Sequence, residues 1–325
     1  VTKLNFYCLA DFFLLGIKWR SFLTRPLLIL CFLINSLCGI AQELFLPPSL
    51  TYQPDRLKTV VISELATGVV ISAGLYFLWY RKHPRSHFHF FNDNGEWLQM
   101  DKIGHATTAY NIGAIQYDLM RWCGVQNDAS IAVGGLTAIG YMSIVEIFDG
   151  FSSKWGFSPG DMMANIFGAA LFAAQQKGWN QQRISLKWSF HSSPYAKYYP
   201  AELGDNFLSR MLKDYNGQTY WLSFNIASFL PVNSGFPYWL NMSVGYGAEG
   251  MIGARSNPTS INGNAIPEFK RIRKFYFSPD ANLFSIPTNS SIYNAMAYLT
   301  KFSKIPAPTL EWSKLKGFRF IPFYY

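Results

Sequence analysis

The stretch SPGDMMANIFGAALFAAQQ (158–176) decides how the first half of the chain is read. Ser158 is a residue type that caps helix N-termini, Pro159 suits the first helical position, and Asp161 falls in the first turn, where a carboxylate meets the positive end of the helix dipole. Asp161, Asn165 and Gly168 are spaced i, i+4, i+7. They form a polar-to-small stripe along one side of an otherwise apolar helix that stops before Gly178. Working upstream, ASIAVGGLTAIGYMSIVEIFDG (129–150) predicts a helix capped by Asp128 and Ser130, with Glu146 and Asp149 as neighbours near its end. DKIGHATTAY (101–110) opens another helix, running to Trp122, on which Asp101 and His105 share a face beside Lys102. A fourth apolar segment, 57–82, is interrupted mainly by Glu64 and is long enough either to span a bilayer or to sit in a buried bundle. Gly134, Gly135, Gly140, Gly168, Ala169 and Ala170 predict close backbone approach between these helices.

After residue 183 the period changes from helical to alternating. ISLKWSFHSS, TYWLSFNIASF, WLNMSVGYG, RIRKFYFSPD and the terminal KGFRFIPFYY read as strands rich in aromatic residues and serine, with a short helix at 291–302 between them. About five strands are too few for a closed membrane barrel. Such a sheet must lie on the helices, pair with another chain, or sit at a membrane surface. The expected fold class is α+β: a compact, membrane-associated four-helix bundle over 57–178, then a strand-rich, basic, aromatic domain over 183–325 with one short helix.

Half of the 325 residues are hydrophobic, 18% are aromatic and 14% are charged. Soluble domains usually carry about 25% charged residues, so part of this surface is expected to meet lipid or protein. The start reads as an export signal: KWRSFLTRP (18–26) is a basic leader, and LLILCFLINSLCGIA (27–41) is an apolar run ending in a small-x-small site before Gln42. On this reading 1–41 is a signal peptide with an upstream extension and 42–56 is a Pro-rich linker. The rival is an uncleaved anchor. Leu37 is bulky for a lipid-attachment motif at Cys38. Cleavage at Ala41 would leave Cys123 as the single cysteine, excluding a disulfide framework and a cysteine metal site.

The net charge of +9 is concentrated at the C-terminal end, where residues 178–325 hold fifteen basic and seven acidic side chains. The densest cluster is Lys270, Arg271, Arg273 and Lys274. No nucleic-acid module accompanies it, so it is read as a surface for anionic lipid or an envelope protein partner, or as a solvated strand edge. The sequence has no serine nucleophile elbow, no phosphate-cradling glycine loop and no paired-arginine phosphatase motif. His83, His87 and His89 fall in an aromatic loop and His191 in a strand.

Antiparallel packing can bring the start of the helix from Asp101, the end of that from Ala129 and the start of that from Pro159 to one end of the bundle. Asp101, Lys102, His105, Glu146, Asp149, Ser158, Asp161 and Asn165 would then form one polar cluster. Three readings stay open: a buried network that fixes helix register, a divalent metal on His105, Glu146 and Asp161, or acid–base catalysis by the same three. No cofactor is required by any motif.

The ordered set DKIGH, then GYMSIVEIFDGFSSKWGFSPGDMMANIFGAAL, resembles the YfiM-type family of predicted bacterial envelope lipoproteins, a domain of unknown function. It is more distantly similar to VanZ-like membrane proteins, whose pattern Asn165 also fits. The resemblance covers about 95–178 and carries no established activity. It implies an exported, periplasm-facing or outer-membrane-associated protein of a Gram-negative envelope. The leading functional reading is a non-enzymatic scaffold or assembly component. The alternative is an enzyme acting on lipid or cell-wall precursors.

Overall fold

The computed structural model describes residues 48–78 and 80–324; the expected signal segment, Cys38 and the first part of the linker lie outside them. Helix α1 spans Pro54–Leu78, α2 Met100–Trp122, α3 Asn127–Gly150 and α4 Pro159–Trp179. The start of α4 follows its sequence: the Ser158 hydroxyl accepts from the Asp161 amide, with Pro159 next to it. By contrast α3 begins after Gln126 with no side-chain cap.

Helices α2, α3 and α4 pack tightly on one another, whereas α1 touches them only sparsely. The helical part is therefore a three-helix core with a peripheral helix, which corrects the expected four-helix bundle. The reason lies in composition: α1 is apolar all round, with Ile62, Leu65, Val69 and Phe77 exposed, and so has no single face to bury. By length and composition α1 and α3 are both long and apolar enough to cross a membrane.

Glycine sets the helix spacing. A Cβ on Gly168 of α4 would lie 2.0 Å from the Ala106 carbonyl oxygen of α2, and one on Gly134 of α3 would lie 2.7 Å from the Gly113 oxygen. Gly135 and Gly140, from the same small-residue stripe, face open space.

The C-terminal half is a six-stranded antiparallel sheet of β1 (Ile184–Phe190), β2 (Gln218–Asn225), β3 (Leu240–Glu249), β6 (Ile272–Ala281), β7 (Ala307–Ser313) and β8 (Gly317–Tyr324), in that order. A two-stranded ribbon, β4 (Ser260–Ile261) and β5 (Asn264–Ala265), lies apart. Short helices α5 (Pro200–Leu203) and α6 (Phe207–Lys213) follow β1, and α7 (Ser291–Leu299) joins β6 to β7.

The sheet is inverted relative to a soluble one. Thr219, Ser223, Asn241, Ser243, Ser278, Asp280, Thr309 and Glu311 are buried, while Val244, Phe275, Phe277, Trp312, Phe318 and Phe320 are exposed. It is also strongly curled. Thr219 on β2 and Tyr324 on β8 share a 2.8 Å hydrogen bond. In a flat sheet four strand spacings of about 4.8 Å would separate them by about 19 Å. Lys187 on β1 likewise reaches Asp280 on β6 at 2.7 Å. Trp221, Tyr276 and Tyr324 fill the concave side with ring centroids 4.8–6.0 Å apart. Gly245 leaves room for Trp221, since a Cβ there would lie 2.7 Å from the indole.

Alternation divides the basic run that was expected to form one surface. Lys274 turns inward to Glu249 at 2.6 Å and Glu311 at 3.2 Å. Arg271 donates to the carbonyls of Gly253 and Ala254, and Arg273 to Tyr246 and Gln99.

Gly168→Ala should lower stability by about 1–3 kcal/mol through forced separation of α2 and α4. Gly135→Ala should be neutral or stabilising by up to about 1 kcal/mol. Urea unfolding of the two variants beside the parent checks the pair.

Candidate functional site

The polar cluster is assembled around the N-terminus of α4. Ser158 does three things there. Its amide donates to Glu146 Oε2 at 3.1 Å, its hydroxyl accepts from the Asp161 amide at 3.1 Å, and the same hydroxyl donates to Asp93 Oδ1 at 2.6 Å. One residue thus joins α3, α4 and the loop before α2. Gly160 keeps the approach open: a Cβ there would lie 2.1 Å from Asn94 Oδ1 and 3.0 Å from Lys102 Cε.

From α2, the Lys102 ammonium lies 2.7 Å from Asp161 Oδ1, 2.6 Å from Asp93 Oδ1 and 3.5 Å from Asp101 Oδ2. His105, one turn along, faces both neighbouring helices. Its Nδ1 is 3.1 Å from Asn165 Oδ1 and 3.5 Å from Glu146 Oε1. Its Nε2 is 3.9 Å from both Asp101 Oδ1 and Asp161 Oδ1. The Asn165 oxygen can only accept, so Nδ1 carries the proton of that bond and Nε2 presents a lone pair to the two aspartates.

The structure therefore brings Asp101, Lys102, His105, Glu146, Ser158, Asp161 and Asn165 together. Asp149 stands to one side, accepting from the Tyr80 hydroxyl at 2.8 Å. Two members are absent from the sequence reading. Asp93 sits in an irregular loop, where no periodicity marks it. Tyr215, which donates its hydroxyl to Asp101 Oδ1, comes from the strand-rich half, within KDYNGQTYWLS (213–223).

Burial governs the electrostatics. Desolvation raises the carboxyl of Glu146 to about 8, against the pull of His105, and that of Asp149 to about 7. Desolvation and the Asp101 charge push Asp161 up to about 9. For Asp93 burial acts in the same upward sense, yet hydrogen bonds from Asp161, Lys102 and Ser158 hold it below the usual range. The proton shared by these two aspartates thus resides on Asp161. Lys102 is held above its ordinary value, because the charges of Asp101 and Asp161 outweigh its own desolvation.

These residues share their segment with one known family. Residues 89–207 match the family described as predicted periplasmic lipoprotein (DUF2279). The match takes in Asp93 and all three helices of the core. It supports an uncharacterised family of envelope lipoproteins and makes the chain an exported envelope protein facing the periplasm. No curated protein and no solved structure matches the chain. Two surface concavities, of about 290 and 260 Å³, lie away from the cluster; the first is lined by Tyr198, Tyr199 and Ile261, the second by Tyr117, Gln176 and Lys187.

The raised carboxyls make stability depend on pH. The folded pKa of Glu146, about 8, lies above its ordinary 4.5, so the folded state holds a proton that the unfolded chain releases. That contribution is complete below about pH 4.5 and is lost as pH rises through 8. In a chelator-containing buffer, stability should fall by on the order of 2 kcal/mol between pH 5 and 8. Glu146→Gln should remove about a third of that slope, the rest belonging to Asp149 and Asp161. Denaturant midpoints across this range provide the measurement; an unchanged slope in the variant would show that Glu146 is ionised throughout.

Proposed function

We propose that this protein is a membrane-associated, non-enzymatic component of the cell envelope, a scaffold or assembly element, whose curled sheet rests its convex face on the acyl phase of a bilayer. The observation that carries the reading is the inverted sheet. Water-facing sheets place apolar residues on the packed side and polar ones outside, whereas a polar interior under an apolar exterior is the arrangement lipid selects. Helix α1 exposes apolar side chains as well. The polar cluster fits a structural role, because its side chains are 1–23% exposed and spend most of their hydrogen bonds on one another. In this reading the kinship narrows to the YfiM-type proteins, with the Asp161-to-Gly168 stripe as the element held in common with VanZ-like ones. The basic run contributes little to membrane binding, since three of its four members are bound within the fold.

Flotation of the full chain with phosphatidylcholine vesicles tests the proposal. Association is expected without anionic lipid and should persist in 0.5 M salt, where charge-driven binding is screened to about 4 Å. Phe277→Asn with Phe320→Asn, both on the convex face, should reduce vesicle-bound protein at least about threefold, by the loss of two large apolar contacts. A parent protein that stays monodisperse without detergent and does not float would overturn the reading. Binding that requires anionic lipid and disappears in salt would do the same.

A further inference from the structure

The charges in the cluster do not balance. Among the described residues, Asp93, Asp101, Glu146, Asp149 and Asp161 face Lys102 and His105 as partners of opposite sign. Buried carboxylates in such excess must take up protons or a cation.

The gap between α2 and α4 favours the cation. His105 Nε2, Asp101 Oδ1 and Asp161 Oδ1 converge there, with ligand atoms of all three residues within 4.8 Å of one another. Of the three, His105 directs its N–H away from the gap, and a bound cation would displace any proton held by the two carboxyls. Tyr215 donates to Asp101 and the Lys102 ammonium lies against Asp161, but a carboxylate oxygen has two lone pairs, and no donor among the described residues meets Nε2. The side chain of Asp161 is 5% exposed, and its Oδ1 has the Lys102 ammonium as its charged partner at 2.7 Å.

We propose that Asp101, His105 and Asp161 form a binding site for a divalent cation of the zinc class. One imidazole nitrogen and two carboxylate oxygens are a donor set that zinc accepts, leaving a fourth position for water. Bonds of about 2.1 Å in tetrahedral geometry place ligand atoms about 3.4 Å apart, so the observed 3.9 Å separations close by about half an ångström. The other side of the ring is arranged as metal-binding histidines require. Nδ1–H donates to Asn165 Oδ1, which fixes the tautomer and points Nε2 into the gap. Glu146 lies on that far side, so it supports the ring and stands outside the ligand set. The site belongs to the polar cluster and is independent of how the sheet meets lipid.

The test uses the tag-free full chain, stripped with chelator and re-equilibrated with zinc. About one zinc per chain should remain after desalting, by mass spectrometry, and the melting temperature should rise with added zinc. His105→Gln and Asp161→Asn should each weaken zinc binding at least about a hundredfold. Asn165→Ala should weaken it about 10–100-fold, while Asp149→Asn, outside the gap, should retain it. A second measurement needs no variant: in the cobalt-substituted parent, paramagnetic broadening should fall on the His105 ring. A parent that keeps less than about a tenth of a zinc per chain overturns the site. So does equal binding by folded ligand variants, or broadening centred on His83, His87, His89 or His191.

Discussion

Ser158 is where the molecule is tied together. Its amide engages Glu146 of α3, its hydroxyl caps α4, and the same hydroxyl donates to Asp93. A cap normally satisfies one orphan amide at a helix end. Here the capping residue also sets the distance between two helices and gives a buried glutamate one of its few partners. The relative rotation of α3 and α4 therefore follows from hydrogen-bond geometry as well as from packing. The close approach of α2 and α4 at Gly168 then delivers Lys102 and His105 to the acids.

The sheet solves a different problem. Its concave side holds Lys187, Lys304 and Asp280, with Asp280 also accepting from Ser223. Lys304 lies over the Trp221 ring and donates to the carbonyls of Pro279 and Ile305, and desolvation lowers its ammonium to about 8. Such an interior is expensive to assemble in isolation and stable only when every member is satisfied. Curling satisfies these groups by bringing β1 to β6 and β2 to β8, and it leaves the aromatic residues of β6, β7 and β8 outside. Both halves thus enclose polar groups beneath apolar skins.

The helices were legible because caps and periodicity are local signals. Ser158, Pro159 and Asp161 announce α4 without reference to anything distant, and the convergence of three acid-bearing helix ends follows once the helices pack antiparallel. The strands were legible by alternation, except β7, where Pro308 and Glu311 disguise the pattern. What could not be read was non-local. A glycine stripe does not say which glycines meet a neighbour: Gly134 and Gly168 do, and Gly135 and Gly140 do not. An apolar helix does not announce that it will stand at the periphery, as α1 does. A basic run in a strand looks like a surface until alternation sends Lys274 inward. Asp93 and Tyr215 reach the cluster from loops, where position is set by the rest of the fold.

The three residues before α2, Trp97, Leu98 and Gln99, all lie in left-handed backbone conformation, with φ of 45°, 52° and 66°. None is glycine, so each carries a steric cost. They are held from the sheet side: the Trp97 amide donates to Ala254, the Leu98 carbonyl accepts from Tyr246, and the Gln99 side chain accepts from Arg273. The last two contacts span 148 and 174 residues of chain. Contacts of that span close long loops, at an entropic cost that the rest of the fold must offset. The first turn of α2, with Asp101 and Lys102, is thus positioned from β3 and β6 as well as by the helices it packs on, so the two halves of the chain share one anchor for the buried charges.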